Sequence, residues 1–252
     1  MRKPWQRERR GLNRDEIKLL AIGAMLLNHC AHIFLEPGRI ETEILVDLGY
    51  FTAITMCYFL VEGIAYTRSK ARYAGRLALF AVLSELPFCL AFSQGEVLTF
   101  CGMNMIFTLL LCFGILMVWD QVEDKLLRVV LILWLVLISQ YSDWGWLAPA
   151  FTLMFAWARG SEHKKRLAFL GAVLLFGGYK LGSRIGMIPI EQNLLLTLGN
   201  MTGPSLAAVL LCFGYHGRRM ARGRKAAQWF FYGFYPLHLL VLGLLRLRAP
   251  GL

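Results

Sequence analysis

Acidic residues are scarce in this chain. There are 16 Asp and Glu against 27 Lys and Arg in 252 residues, and charged residues of both signs make up only 17%. A soluble domain carries about 25% charged and about 45–50% apolar residues. Here 57% are apolar and the mean hydropathy is +0.53, which excludes an ordinary water-soluble domain. No Ser-, Gly- or Pro-rich linker, fixed-period repeat or low-complexity segment interrupts the chain, so a single integral-membrane domain over residues 1–252 is expected. No C-x-x-C pair occurs among the six cysteines, at 30, 57, 89, 101, 112 and 212. Neither a zinc site nor a disulfide framework is indicated, no metal is expected, and the thiols read as small apolar packing groups. No small-x-small cleavage site follows the first apolar run; His32, Phe34, Leu35, Glu36 and Pro37 stand there instead, which disfavours a cleaved signal peptide.

What the chain does have is a series of apolar blocks with charge gathered between them. Nine candidate spans can be drawn, at 17–35, 44–65, 74–92, 103–119, 126–141, 144–158, 167–182, 194–215 and 226–245. Their lengths are those of helices rather than barrel strands. Backbone groups in hydrocarbon also require internal partners. The predicted fold is an all-α, polytopic membrane protein of about nine transmembrane helices. Asn13 as N-cap with Glu16 three residues on forms a capping signal at the start of the first helix. Ser142–Gly145 reads as a tight turn. Residues 183–203 fit an outer loop, a re-entrant piece or a broken start of the eighth span.

The net charge of +11 invites a nucleic-acid reading, but its distribution does not support one. With the N-terminus in the cytoplasm, only Arg39, Lys180, Arg184, Arg246 and Arg248 of the basic residues fall on the outer side. That is the positive-inside bias. Residues 1–15 become a basic cytoplasmic segment, and the expected partner is the lipid bilayer, with no nucleic acid. Tyr141, Trp144, Trp146, Trp157, Trp229 and Tyr232 fall near the interfaces, as an aromatic belt would.

Three ionisable residues lie deep within spans. At 1.5 Å per residue, His29 and His238 are each roughly 18 Å from the inner face and Glu85 roughly 16 Å. The hydrocarbon core is about 30 Å thick, so all three lie near the midplane. Their spans run in the same direction, and two imidazoles and a carboxylate meet there if those helices are neighbours. A neutral imidazole is a usable base or nucleophile, and a carboxylate can orient it. The alternative roles are hydrogen bonding between helices for His29 and His238, and support of backbone groups beside Pro87 for Glu85. His32 is one turn beyond His29 on the same face. Glu62, near the inner end of the second span, is expected to pair with Arg68 or Arg76. Asp47 and Asp143 sit near the outer face.

The same residues carry a family resemblance. Ile17-Lys18-Leu19-Leu20-Ala21 with Met25-Leu26-Leu27-Asn28-His29 resembles the opening of TraX-like membrane proteins. Leu60-Val61-Glu62-Gly63 with Thr67-Arg68, then Tyr73, Arg76-Leu77 and Ser84-Glu85-Leu86-Pro87-Phe88, follow in the family's order. Asn104 with Phe107-Thr108-Leu109, Asp143-Trp144-Gly145, and Phe231-Tyr232 with Tyr235-Pro236-Leu237-His238-Leu239 complete it. The family's Asp before the histidine is Asn28 here, and its Y-N-G is Tyr215-His216-Gly217. Asn can hydrogen-bond a ring but stabilises its charge less well.

The resemblance implies an acetyltransferase of the bacterial inner (cytoplasmic) membrane, related to the wider transmembrane acyltransferases. These move an acetyl group from cytoplasmic acetyl-CoA to an acceptor with an essential histidine in an early helix, a role that falls on His29. In the member that gives the family its name the acceptor is the N-terminus of a pilin; here a protein N-terminus, an amine or a glycan hydroxyl is the expected class. Glu85 and His238 are expected to support His29. Arg68, Arg76, Arg218 and Arg219 stand where the acyl-CoA phosphates would arrive, and Asn28, His32, Glu62, Asn104 and Asp143 are expected as substrate-facing or structural polar groups. A proton-coupled transporter would use midplane His and Glu as well. The chain shows no half-to-half repeat of the kind common in carriers. A non-enzymatic accessory protein needs no buried histidine.

Overall fold

The computed structural model describes residues 11–93, 98–218, 220 and 223–248, without the side chains of 224 and 225. These residues form eleven α-helices and, among the described residues, no β-strand. α1 is Arg14–Phe34, α2 Ile40–Gly49, α3 Phe51–Tyr66, α4 Lys70–Phe92, α5 Met105–Gln121 and α6 Lys125–Ser139. α7 is Leu147–Trp157, α8 Glu162–Ser183, α9 Ile190–Asn200, α10 Thr202–Val209, continued by a wide turn Leu210–Gly214, and α11 Arg224–Arg248. Five stretches are long and apolar enough to cross a membrane: Arg14–Phe34, Ile40–Tyr66, Lys70–Phe92, Ile190–Gly214 and Ala226–Arg248. The chain is a multi-pass, all-helical membrane protein.

The lipid-facing surface follows from where apolar side chains go. On α6, Leu126, Leu127, Val129, Val130, Leu133, Trp134 and Leu137 are exposed, while Ile132 and Ser139 are its buried residues. Such a patch would be an aggregation hazard in water and is at home against acyl chains. Helix contacts in lipid rely on close packing rather than on hydrophobic exclusion. A methyl group at Gly203 would run into the Asp47 carbonyl and the Phe51 amide, so the α9–α10 break seats directly on the α2–α3 break at Tyr50. α11 lies along α4, where Gly243 passes the Leu90 backbone.

Several sequence expectations meet their structure here. Asn13 accepts from the amides of Asp15 and Glu16, and the Glu16 carboxylate accepts from the Asn13 amide at 2.7 Å, so the capping box forms. Residues 183–203 resolve into the broken alternative: α9 begins after Pro189 and the helix breaks at Met201. The turn at 142–145 is present, with Trp144 in the left-handed region at φ 63°.

Helix length explains where space is left. α1, at 21 residues, spans about 32 Å, enough for a hydrocarbon core of about 30 Å. α7, with 11 residues, reaches about 16 Å. Irregular backbone takes over at the ends of the short helices: Met103 N–H donates to Tyr141 O and Asp143 N–H donates to Met103 O, both at 2.8 Å. Such backbone is tolerated at depth where it borders a cavity.

Candidate functional site

Two cavities enter the bundle from opposite ends. We call the end at which α1 begins proximal and the other distal. The distal chamber has a volume of about 1460 Å³ and the proximal vestibule about 430 Å³. Their walls share Met25, Thr52, Met105 and Tyr235, which mark the constriction between them. One stripe of α1 lines both: Arg14, Lys18, Ile22 and Met25 face the vestibule, and Met25, His29 and His32 face the chamber. The spacing of three and four residues puts them on one helical face.

His29 and His238 are the centre of the chamber's chemistry. Both are buried, at 9% and 7% exposure. His29 Nδ1 lies 2.9 Å from His238 Nε2, and the rings are nearly parallel at 7°, with centroids 5.1 Å apart. His238 Nδ1 lies 2.8 Å from the Phe234 carbonyl. A carbonyl only accepts, so His238 Nδ1 carries the hydrogen and its Nε2 is a lone pair. His29 Nδ1–H then donates to that lone pair. In a neutral His29 this leaves Nε2 as the free base, and that nitrogen has no partner among the described residues. Phe92 packs edge-on against His29, and Phe234 stacks on His238. The depth match of the two histidines therefore corresponds to direct contact.

Glu85 is not part of the pair. Its carboxylate accepts from the Asn104 amide nitrogens, backbone at 3.2 Å and side chain at 2.7 Å. Asn104 is fully buried; its Nδ2 also reaches the Ala81 carbonyl, and its Oδ1 caps α5 through Ile106 and Phe107. Glu85 thus positions the start of α5 and borders neither cavity. Sequence depth placed it at the right level, but its direction around α4 was not readable.

Asn28 also turns away from His29. Its Nδ2 donates to the Val46 carbonyl at 2.9 Å, and it packs on Gly49. A carboxylate could not donate that bond, so Asn28 acts as a tie between α1 and α2. Glu62 corrects another expectation. Its partners are Arg14, at 3.5 Å, and the Tyr215 hydroxyl, at 2.7 Å, not Arg68 or Arg76. Leu12 N–H donates to Gly214 O and Arg14 N–H to Arg218 O, which brings the segment at Tyr215 beside the start of α1.

Arg68 and Arg76 line the proximal vestibule together with Arg14 and Lys18. No carboxylate lines it among the described residues. Arg76 lies over the rings of Tyr73 and Tyr232, at 5.5 and 5.9 Å. Arg218 is exposed and not in the vestibule wall, and Arg219 lies outside the described residues.

The chamber also holds Trp144 and Trp146, expected in the interfacial belt, and Asp143, expected as a substrate-facing or structural polar group. Trp144 stacks on Phe176 at 5.4 Å and meets Tyr50 edge-on at 5.8 Å. Its left-handed backbone costs about 1–3 kcal/mol, which tight surroundings must offset. Trp146 meets Tyr179 edge-on. Lys180 donates to the Tyr50 hydroxyl at 2.8 Å. Asp143, in the α6–α7 turn, has its carboxyl raised to about 6 by burial. Nearby, Asn200 bonds Asp47 and receives Arg184 at 2.9 Å. The sequence signals for Trp144 are its place inside a predicted turn, where a bulky residue is unusual, and the family-like run Asp143-Trp144-Gly145.

Residues 13–246 match the TraX protein family. Over 236 residues, 90% of this chain and 93% of the relative, the sequence is 34% identical to the probable fimbrial assembly protein FimC, serogroup H1, of Dichelobacter nodosus. No solved structure matches.

Proposed function

Because this chain belongs to the TraX family, we propose that it is a membrane acyltransferase of fimbrial or pilus assembly, moving an acetyl group from acetyl-CoA to an amine or hydroxyl. The observation that carries the reading is the His29–His238 pair in a chamber that shares four wall residues with a basic vestibule. In this reading the proximal end is cytoplasmic, the chain crosses the bacterial inner membrane about nine times, and helices α5 to α8 supply the additional spans.

The vestibule suits the donor. Arg68 and Arg76 stand in a wall that holds no carboxylate among the described residues, so phosphates are attracted there, and Arg can bind them in pairs of hydrogen bonds. The thioester end then reaches the constriction beside Met25, one turn from His29. The acceptor occupies the distal chamber. His29 Nε2 takes its proton as it attacks the thioester carbonyl, and His238 holds the ring in the required tautomer. The leaving thiolate recovers the proton. Removal of water from the constriction strengthens each of these polar contacts.

The test uses purified protein in detergent with acetyl-CoA and a short peptide with a free N-terminus. Free CoA is measured by chromatography and acetylated peptide by mass. Wild type is expected to release CoA in step with peptide acetylation, and His29→Ala to lose both while still binding acetyl-CoA. Absence of binding and of CoA release in the wild type would sink this reading. Two opposed cavities with a constriction between them also favour a proton-coupled carrier, which becomes the leading reading in that event.

A further inference from the structure

The constriction is the place where a donor from one cavity meets an acceptor from the other. Its four wall residues differ sharply in what they can offer. Met25 and Met105 carry no side-chain donor. Thr52 is buried, and its hydroxyl hydrogen is given to the Ala21 carbonyl at 2.7 Å. Tyr235 is 6% exposed, and its hydroxyl oxygen accepts from the Met105 amide at 3.3 Å. The hydroxyl hydrogen of Tyr235 goes to no acceptor among the described residues. It is the one polar hydrogen at the constriction left for a ligand.

That hydroxyl is also prepared for the task. Met105 is the first residue of α5, and Asn104 already caps the amides of Ile106 and Phe107. The Met105 amide is thus the first-turn donor left over, at the positive end of the helix dipole. A hydroxyl that accepts such a bond becomes a better donor. Tyr235 precedes His238 by three residues, with ring centroids 5.6 Å apart, and His238 in turn contacts His29. The rings that carry base and donor therefore both contact one imidazole.

We propose that Tyr235 is a catalytic hydrogen-bond donor to the thioester carbonyl oxygen, an inference that rests on the acyltransferase reading. The acceptor nitrogen or oxygen forms a bond to the carbonyl carbon. The π pair moves onto the carbonyl oxygen, where the Tyr235 O–H receives the growing negative charge without giving up its proton. His29 Nε2 takes the acceptor's proton. Collapse reforms the carbonyl, breaks the carbon–sulfur bond, and returns that proton to the CoA thiolate. Charge that appears only in the transition state is where a preset donor has its largest effect.

Tyr235→Phe keeps the ring against His238 and removes only the hydroxyl. The kcat for peptide acetylation is expected to fall about 100-fold with KM for acetyl-CoA unchanged. Met105→Pro removes the amide that feeds the hydroxyl at a helix position where proline is tolerated, and should lower kcat about 3- to 10-fold. In an inactive His29→Ala background, bound carbonyl-labelled acetyl-CoA should show a lowered C=O stretching frequency. Adding Tyr235→Phe should return it to the value in solution. A wild-type kcat in Tyr235→Phe, with His29→Ala inactive, overturns the role of Tyr235 and leaves the acyltransferase reading standing. A fall in kcat with no change in the carbonyl band also overturns it, because the loss is then one of packing. If wild type releases no CoA, the acyltransferase reading fails and the role of Tyr235 fails with it.

Discussion

The proximal vestibule carries the basic side chains of Arg14, Lys18, Arg68 and Arg76. The distal chamber is built from His29, His32, Asp143, Tyr50 and Trp144, with Lys180 tied to Tyr50. The first region is suited to holding an anion, and the second to exchanging protons beside aromatic walls. Their polar networks differ in the same way. Glu62 is saturated by Arg14 and Tyr215, whereas the His29–His238 relay ends on a free nitrogen. A closed network holds structure together, and an open one is available to a substrate. The difference predicts that substitutions at the two ends affect different measured quantities.

The largest expected effect belongs to the chamber. His29→Ala should lower kcat by about 10²–10⁴-fold with acetyl-CoA affinity retained. A comparable loss of affinity would mean that the two regions are not separate in function. Next is the closed network. Glu62→Leu leaves Arg14 buried without a carboxylate and should cost about 3–5 kcal/mol of stability in denaturant titrations. A loss below about 1 kcal/mol would show that the pair behaves like an exposed one.

Smaller effects sharpen the contrast. Arg68→Met and Arg76→Met should each raise KM for acetyl-CoA about tenfold, or about 1.4 kcal/mol, and leave kcat alone. The increase should shrink at high salt, and a fall in kcat would instead assign these residues to the chemistry. The remaining effect concerns Asp143. Its folded carboxyl keeps a proton up to about 6, against an ordinary 3.8. Between those values the unfolded chain binds fewer protons, so stability falls as pH rises. The thermal midpoint of wild type should therefore decline relative to Asp143→Asn from pH about 4 to about 6. Parallel curves would show that Asp143 is not held in a costly environment.

Much of the helical framework was legible in advance because each signal is local or one-dimensional. Asn13 and Glu16 sit within one turn and form the capping box as read. His29 and His238 were matched by counting residues, and they touch. The same counting placed Glu85 beside them, and there it failed. Rise per residue gives depth, but the direction of a side chain around its helix depends on which neighbour that helix packs against. Glu85 faces Asn104 for that reason. Glu62 was assigned to the nearest arginines in sequence, while Arg14, distant in sequence, is the one brought beside it. Trp144 was placed in the lipid interface because its turn ends a span, yet the turn folds inward over Phe176.

The amino-acid sequence by itself determined that the chain is helical and membrane-embedded, where its apolar blocks lie, and that His29 is costly enough to need a role. These follow from transfer free energies and hydrogen-bond closure, which act on each segment separately. Only the tertiary structure decided that two cavities meet at Met25, Thr52, Met105 and Tyr235, that His238 rather than Glu85 or Asn28 engages His29, and that one tyrosine hydrogen is left unassigned. Lateral placement of helices sets those outcomes. In lipid it is settled by close contacts such as Gly203 on Asp47, whose partners lie far apart along the chain.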